Sequence, residues 1–141
     1  MEPRAPALPD AVLDQLLAEA RAAQPNAHCP VSRFPVGAAV LASDGRIFRG
    51  VNVENASYGL TVCAERNAVG AAVAAGVRAL RAVAVVTNLE DPARPCGACR
   101  QVLAEFGTAM TVVLGGRSGK RVLTSLDRLL PEPFTFHDLS R

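Results

Sequence analysis

Three cysteines and one glutamate form two short motifs that could bind a metal ion and move protons. Cys63 and Glu65 lie in Thr-Val-Cys-Ala-Glu-Arg, and Cys96 and Cys99 lie in Pro-Cys-Gly-Ala-Cys-Arg. Three thiolates can hold zinc tetrahedrally and leave the fourth position for water, which is the arrangement of a catalytic site and not of a structural one. A carboxylate beside the first ligand can carry that water's protons. We therefore expect zinc on the three cysteines, with Glu65 as the catalytic acid and base.

The spacing of these residues restricts where they lie on helices. Cys96 and Cys99 are three residues apart, so they share one face of a first helical turn. Cys63 and Glu65 are two residues apart and would diverge on a regular helix. We therefore expect Cys63 at or just before the start of its helix, with Glu65 reaching over the metal. Helix N-termini also favour ionised thiols.

The charge of such a site needs to be offset. Zinc with three thiolates carries one net negative charge, which makes its water less acidic than water on a site of neutral histidines. The two helix N-termini reduce this effect. We also expect Arg66, on the helix that follows Cys63, and Arg100, next to Cys99, to donate hydrogen bonds to thiolate sulfur.

Other uses of the cysteines remain open. A Cys-x-x-Cys pair also occurs in redox proteins, but there it opens the helix after an early strand, whereas this pair comes late in the chain. A closed zinc site of four cysteines could include Cys29, although Cys29 has no second ligand at short spacing. His28 and His137 are isolated, and we expect them in solvent or core positions.

Hydrophobic periodicity and turn signals predict the elements that position these motifs. Apolar residues at helical spacing after Asp10, the expected N-cap, predict a first helix that ends before Pro25. An Asp-Gly pair at 44–45 predicts a hairpin turn. After the first helix we predict strands at 36–42 and 47–53, a helix at about 63–75, a strand at 81–86, a helix at about 96–106, a strand at 110–114, a further strand through Val122, and a short helix capped by Ser125.

This order of elements predicts an α/β fold. An antiparallel hairpin followed by alternating helices and strands implies parallel pairing with crossover helices. We expect one domain over residues 1–141, built as a three-layer αβα sandwich around a mixed sheet of about five strands. A length of 141 residues with 50% hydrophobic residues is enough for one sizeable core.

Composition argues against two classes of partner. A net charge of +2, with five Phe, one Tyr and no Trp, offers neither a basic surface nor stacking platforms for nucleic acid. The most apolar window, at 68–77, is too short to span a membrane, and residues 1–6 lack the apolar core of a signal peptide. We expect a cytoplasmic protein, in which cysteines are more often metal-binding or catalytic than paired in disulfides.

The motifs taken together resemble a known family. Cys-x-Glu followed by Pro-Cys-x-x-Cys is the pattern of zinc-dependent nucleobase deaminases. From about Ser32 to Leu139 the chain is similar to the short, tetramer-forming cytidine deaminases, and its fold is expected to be cytidine-deaminase-like. The matching stretches are 32–39, 50–58, 63–66 and 95–101.

This resemblance implies a reaction and a set of site residues. The reaction is hydrolytic deamination of cytidine and deoxycytidine to uridine and deoxyuridine with release of ammonia, in pyrimidine salvage. One zinc ion per subunit would lie on the three cysteines. Asn52 and Glu54 would contact the ribose. Phe34 would lie against the pyrimidine ring, and the Ala64 backbone would lie near the base edge. Phe134 matches a family aromatic that completes a neighbouring subunit's active site in a homotetramer.

Physical arguments support part of this assignment, and alternatives remain. Asn52 and Glu54 alternate on one strand and so point to the same face, where an amide and a carboxylate can pair with hydroxyl groups. Glu54 could instead be a solvated charge, and Phe34 could be a core residue. A non-enzymatic zinc module would need a fourth protein ligand. A deaminase for another base-like substrate would keep the zinc motifs without needing Asn52 and Glu54.

Overall fold

The fold is described from a computed structural model, which covers residues 6–139. Residues 1–5, 140 and 141 lie outside the described residues. The prediction that residues 1–6 do not form a signal peptide therefore falls mostly on residues that the structure does not describe. Two short 3-10 turns, Gln24–Asn26 and Tyr58–Leu60, accompany the regular elements. These elements are α1 (Asp10–Ala23), β1 (Gly37–Ala42), β2 (Ile47–Val51), α2 (Ala64–Ala74), β3 (Leu80–Val86), α3 (Gly97–Ala104), β4 (Thr111–Gly115), β5 (Arg121–Ser125), α4 (Leu126–Leu129) and α5 (Phe136–Leu139).

The five strands form one mixed sheet in the order β2-β1-β3-β4-β5, which confirms the predicted sheet. Strand β1 is antiparallel to both β2 and β3, β3 is parallel to β4, and β4 is antiparallel to β5. We expected the strands before and after α2, which are β2 and β3, to be parallel neighbours. That prediction is wrong, because β1 lies between them. Every residue of β1 is buried, whereas β2 is mostly half-buried, so the fully buried strand takes an interior position and β2 takes the edge.

Helices cover both faces of the sheet, which confirms the three-layer αβα arrangement. On one face, Leu13 and Leu16 of α1 pack with Ala39 and Leu41 of β1. On the other face, α2 and α3 pack against the alternate strand residues, among them Val40. The alternation along β1 thus divides its side chains between two cores. Within the described part of the chain, no helix has both the length and the apolar composition needed to cross a bilayer.

Several element boundaries differ from the sequence-based expectations. Asp10 is the first residue of α1 and not its cap, because the carbonyl of Pro9 accepts the first helical N–H groups, those of Val12 and Leu13. Strand β2 ends at Val51, and Val53 makes only isolated bridges. Helix α3 is shorter than predicted, and α5 was not predicted at all.

Gly50 allows the edge strand to approach α2 closely. A Cβ atom at this position would lie 2.3 Å from the carbonyl oxygen of Ala64 and 2.3 Å from the backbone nitrogen of Ala68. The Asn67 side chain also donates to the Val51 carbonyl at 2.8 Å, so strand and helix are joined directly. The first turn of α2, which carries Cys63 and Glu65, is therefore positioned by its contact with β2.

Gly50→Ala should disturb this contact and destabilise the fold. The added methyl group meets backbone atoms, and such overpacking typically costs about 1–3 kcal/mol. Gly70→Ala is the matched control, because Gly70 lies in α2 with open space around it and its replacement should stabilise the helix by about 0.5–1 kcal/mol. Denaturant unfolding of both variants measures the two changes, and the same sign for both would contradict the close contact at Gly50.

Candidate active site

Three cysteine sulfur atoms converge at one point of the fold. The Sγ atoms of Cys63, Cys96 and Cys99 all lie within 4.8 Å of one another. The Sγ atoms of Cys63 and Cys96 are 3.9 Å apart. Cys99 is fully buried, whereas Cys63 is half-buried and Cys96 is exposed. The cluster therefore has a closed inner side and an open outer side.

This cluster has the dimensions of a zinc site. Tetrahedral coordination with Zn–S bonds of about 2.3 Å separates two sulfur ligands by roughly 3.8 Å. The observed separation of 3.9 Å between two of the sulfur atoms matches that value. Among residues 6–139 the group contains these three cysteines and no fourth ligand, so a bound ion would keep one position for a non-protein ligand. The donor set therefore fits zinc.

Two helix N-termini bring the sulfur atoms together. Cys63 is the N-cap of α2 and Cys96 is the N-cap of α3, as the spacing predicted. Both residues have extended backbone conformations, and neither helix has a side-chain cap. The positive ends of both helices therefore favour negative charge on the sulfur atoms.

Glu65 lies directly beside the sulfur cluster. Its Oε2 atom accepts a hydrogen bond from the Cys99 thiol at 3.5 Å, and its side chain is only 5% exposed. Burial raises the pKa of this carboxyl above its ordinary value. A carboxyl group that is next to a metal-binding cluster, and is not needed to complete it, can accept and return protons.

The thiols differ in how readily they ionise. Partial burial opposes ionisation of Cys96, yet the backbone N–H of Cys99 brings the pKa of the Cys96 thiol below its ordinary value. Burial, followed by the charge of Glu65, raises the pKa of the Cys99 thiol. Three thiolates would therefore need a cation between them, which again fits a metal site.

The two arginines beside the ligands behave differently. Arg66 Nη2 lies 3.8 Å from the Sγ atom of Cys63, in hydrogen-bonding geometry, and 3.4 Å from the Thr61 carbonyl. Arg100 donates instead to the carbonyls of Pro95 and Leu129, both at 2.8 Å. The expected Arg100–sulfur contact is therefore wrong. The Arg100 guanidinium instead links Pro95, the residue before Cys96, to Leu129 at the end of α4.

A cavity of about 260 Å³ opens over the cluster. Its lining contains most of the predicted site residues, which come from the 32–36 segment, from the end of β2 and from the starts of α2 and α3. Cys99 and Arg66 are not among the lining residues. The predicted residues that line it are Phe34, Asn52, Glu54, Cys63, Ala64, Glu65 and Cys96.

Asn52 and Glu54 face the same cavity, although β2 has already ended. The Asn52 amide makes two hydrogen bonds to the backbone of residues 34–36. Its Oδ1 atom accepts from the Val36 N–H at 2.9 Å, and its Nδ2 atom donates to the Phe34 carbonyl at 2.9 Å. Glu54 Oε1 accepts from the backbone N–H groups of Val31 and Ser32 at 2.9 and 3.2 Å. A hydrogen bond from the Ser32 side chain lowers the pKa of the Glu54 carboxyl.

The two predicted phenylalanines lie in different places. Phe34 is half-buried, lines the cavity and belongs to neither of the two core clusters. Phe134 does not line this cavity: the residue is 60% exposed, and its carbonyl accepts a hydrogen bond from Gln101. Ala64, the first residue of α2, is fully buried and lines the cavity.

The remaining candidate ligands lie outside the cluster. All four cysteines are free thiols, and Cys29 lies in the segment before β1 and is absent from the sulfur group. The closed four-cysteine alternative therefore has no support in the described residues. His28 and His137 are exposed and are not part of the group, as expected.

Sequence analysis missed several residues that line the cavity. Thr87 follows β3 and is buried, and Ala93 and Arg94 lie in the loop before Cys96. Arg94 adds a basic residue to the lining. Its position two residues before Cys96 was a usable signal, because a loop that leads into a ligand must pass close to the metal site.

Comparisons with known proteins match this geometry. Residues 11–115 match the family model of the cytidine and deoxycytidylate deaminase zinc-binding region. The cytidine deaminase of Sporosarcina psychrophila is 49% identical over 129 residues, which are 91% of this chain and 95% of that protein. The cytidine deaminase of Mycobacterium tuberculosis H37Rv is 42% identical over 134 residues, with 95% and 98% covered. The crystal structure of a Burkholderia pseudomallei cytidine deaminase superposes with a TM-score of 0.82 and 48% identity, over 86% of this chain and 98% of that one.

Proposed function

This chain belongs to the cytidine deaminase family and is a hydrolytic deaminase, and from that premise we propose that it converts both cytidine and deoxycytidine to the corresponding uridines with release of ammonia. The observation that carries the proposal is the juxtaposition of three thiols and a buried carboxyl under a cavity of about 260 Å³. We further propose that the reaction serves pyrimidine salvage.

This arrangement supports an assignment of the zinc ligands and of the catalytic group. We assign zinc to Cys63, Cys96 and Cys99. When bound, the metal lowers the pKa of a water molecule toward neutrality and so supplies the nucleophile. Glu65 would take one proton from the attacking water and deliver it to N3 of the pyrimidine as the water oxygen bonds to C4. It would then take the second proton of that water and pass it to the amino group, which leaves as ammonia when the C4–N bond breaks, so that one residue acts as base and then as acid. Cytidine and water are thus converted to uridine and ammonia.

Two side chains are assigned to the sugar. The Asn52 amide uses one N–H and one lone pair on the 34–36 backbone, which leaves one donor and one acceptor for a hydroxyl group. Glu54 is held by the backbone of Val31 and Ser32 as an ionised acceptor. A carboxylate accepts stronger hydrogen bonds from hydroxyl groups than a neutral group does.

The base is assigned to the apolar part of the cavity. We propose that Phe34 lies against the pyrimidine ring, which its position in the lining and outside the cores supports. We propose that the Ala64 backbone meets the base edge at the start of α2. Arg66, whose guanidinium lies beside Cys63, would offset the net negative charge of the metal site and so keep the bound water acidic.

We propose a cytoplasmic homotetramer with shared active sites. The free state of all four cysteines is consistent with a reducing compartment. The exposed residue Phe134 is available to enter a neighbouring subunit's cavity, and Phe136 and Leu139 add apolar surface nearby in the sequence.

Phe134→Ala should therefore raise KM for cytidine while the zinc content stays unchanged. Truncating a buried aromatic at an interface typically weakens binding by about tenfold or more. Sedimentation velocity gives the oligomeric state and steady-state kinetics gives KM. Phe136→Ala is the matched control, with a smaller expected change in KM. A fully active monomer would contradict the shared site.

The proposed sugar contacts predict which substrates are accepted. A 3′-phosphate would bring a second negative charge against Glu54, so cytidine 3′-phosphate and internal cytosines of RNA or single-stranded DNA should be deaminated at least about tenfold more slowly than free nucleosides. Glu54→Gln should lower kcat/KM for cytidine about tenfold, because a charge-assisted hydrogen bond becomes a neutral one.

The experiment compares cytidine, its 3′-phosphate and a short cytosine-containing oligonucleotide at equal concentration. Glu105→Gln, at an exposed position outside the cavity lining, is the control for Glu54→Gln. Comparable rates on all three substrates would remove Glu54 from the sugar site and reopen the nucleic-acid alternative.

A further inference from the structure

Gln24 has a buried side chain behind the wall of the active-site cavity. It follows the last residue of α1, is 8% exposed and does not line the cavity. Its Nε2 atom donates to the Pro35 carbonyl at 3.1 Å and to Asn88 Oδ1 at 2.9 Å. Gly37 fits tightly here, since a Cβ atom at that position would lie 3.0 Å from Gln24 Cβ and 2.0 Å from the Ala20 carbonyl oxygen. The end of α1 is thus fixed against the start of β1.

The segment 33–36, which Gln24 contacts, has no regular secondary structure. Side-chain amides provide the hydrogen bonds that a sheet would otherwise supply. Asn52 binds the Phe34 carbonyl and the Val36 N–H, and Gln24 binds the Pro35 carbonyl between them. The three consecutive residues 34–36 are therefore held by two amide side chains, that of Asn52 just after β2 and that of Gln24 just after α1. Phe34 and Val36 both line the cavity, so the position of this segment determines the shape of one wall.

The second partner of Gln24 belongs to a different part of the lining. Asn88 directly follows Thr87, a buried lining residue, and begins the loop that leads through Arg94 to Cys96. One amide group therefore joins two segments that lie far apart in the sequence. Buried amide donors that lose their acceptors are costly, so this link favours one relative placement of the two walls.

We propose that Gln24 is a positioning residue for nucleoside binding: by joining Pro35 to Asn88, it sets the distance between the wall that carries Phe34 and the loop that carries Arg94. This inference rests on the proposed function for the identity of the substrate. Gln24 does not touch the substrate or the metal ligands, so it acts on KM and not on the chemical step.

The test compares Gln24→Leu with Gln15→Leu, which makes the same chemical change at an exposed position of α1. Gln24→Leu removes both donors at similar volume. It should raise KM for cytidine about tenfold, leave kcat within about threefold and leave zinc content unchanged. Gln15→Leu should change none of these. A native KM in Gln24→Leu, or a fall in kcat together with zinc loss, would overturn the proposal.

Amide hydrogen exchange tests the positioning itself without any substrate. Gln24→Leu should speed exchange in the peptide that contains Val36, whose N–H donates to Asn52, and should leave exchange in α2 unchanged. Native exchange in that peptide would overturn the proposal even if KM rises. A wild-type protein that fails to deaminate cytidine would contradict the proposed function. Hydrogen exchange needs no turnover, so this measurement would still decide whether Gln24 positions the segment 33–36.

Two milder variants keep the proposal testable if Gln24→Leu does not fold. Asn88→Ala, at an exposed loop position, removes one acceptor only and should raise KM about two- to threefold with faster exchange around Val36. Asn88→Asp keeps an acceptor for Gln24 and should return both values to near wild type. Equal behaviour of Asn88→Ala and Asn88→Asp would contradict the link.

Discussion

Glu65→Gln is expected to lower kcat for cytidine by about 10²–10⁴-fold while fold and zinc content are retained. Glutamine has nearly the same shape and fills the same buried position beside the three cysteines, none of which it replaces as a ligand. What it cannot do is take a proton from water and return it to N3 and the leaving amine. The loss therefore falls on the chemical step and not on the metal site.

Three measurements on the purified variant separate these effects: steady-state kinetics, metal analysis and thermal unfolding. Glu105→Gln makes the same substitution at an exposed residue outside the cavity lining and should behave as wild type. Zinc content that falls together with activity would make Glu65 a ligand and would contradict its role as acid and base.

Cys96→Ala and Cys99→Ala are expected to lose zinc and, with it, activity and stability. Each removes one of three sulfur atoms that lie within 4.8 Å of one another, which leaves only Cys63 and one cysteine of the Cys-x-x-Cys motif as ligands. Zinc at about a thousand times its Kd stabilises a folded protein by about 4 kcal/mol, so Tm should fall by roughly 10–20 °C.

Cys29→Ala is the matched control for these variants. Cys29 is a free thiol of the same chain that lies outside the sulfur group, so zinc content, Tm and kcat should all stay near wild type. Inductively coupled plasma analysis gives zinc per subunit, and thermal unfolding gives Tm. Loss of zinc from Cys29→Ala would revive the closed four-cysteine site and remove the open position that catalysis needs.

The parts of the fold that local patterns specify were predictable from the sequence. The Asp-Gly pair predicted the hairpin of β1 and β2, and helical spacing of apolar residues predicted α1. The Cys-x-Glu spacing predicted that Cys63 precedes its helix. Strand order was only partly predictable. No local sequence pattern indicates that β1 separates β2 from β3, because strand order depends on which strand is best placed in the interior of the sheet, paired on both sides.

The parts of the site that depend on long-range contacts could not be predicted. Arg100 was expected at the sulfur atoms, but the carbonyls of Pro95 and of Leu129, which is 29 residues further along the chain, take its hydrogen bonds. Asn52 was identified for the sugar, yet its two hydrogen bonds to the 34–36 backbone appear only in the folded chain. Gln24 carries no motif at all, and only its burial and its two partners single it out.

The most direct test of the proposed function is to follow cytidine and ammonia together. Wild-type protein with one zinc per subunit is incubated with cytidine, the loss of cytidine is followed by ultraviolet absorbance, and ammonia is assayed in the same samples. We expect one ammonia for each cytidine lost, with activity abolished by a chelator and restored by zinc. No ammonia from cytidine with fully zinc-loaded protein, or equal activity after complete zinc removal, would contradict it.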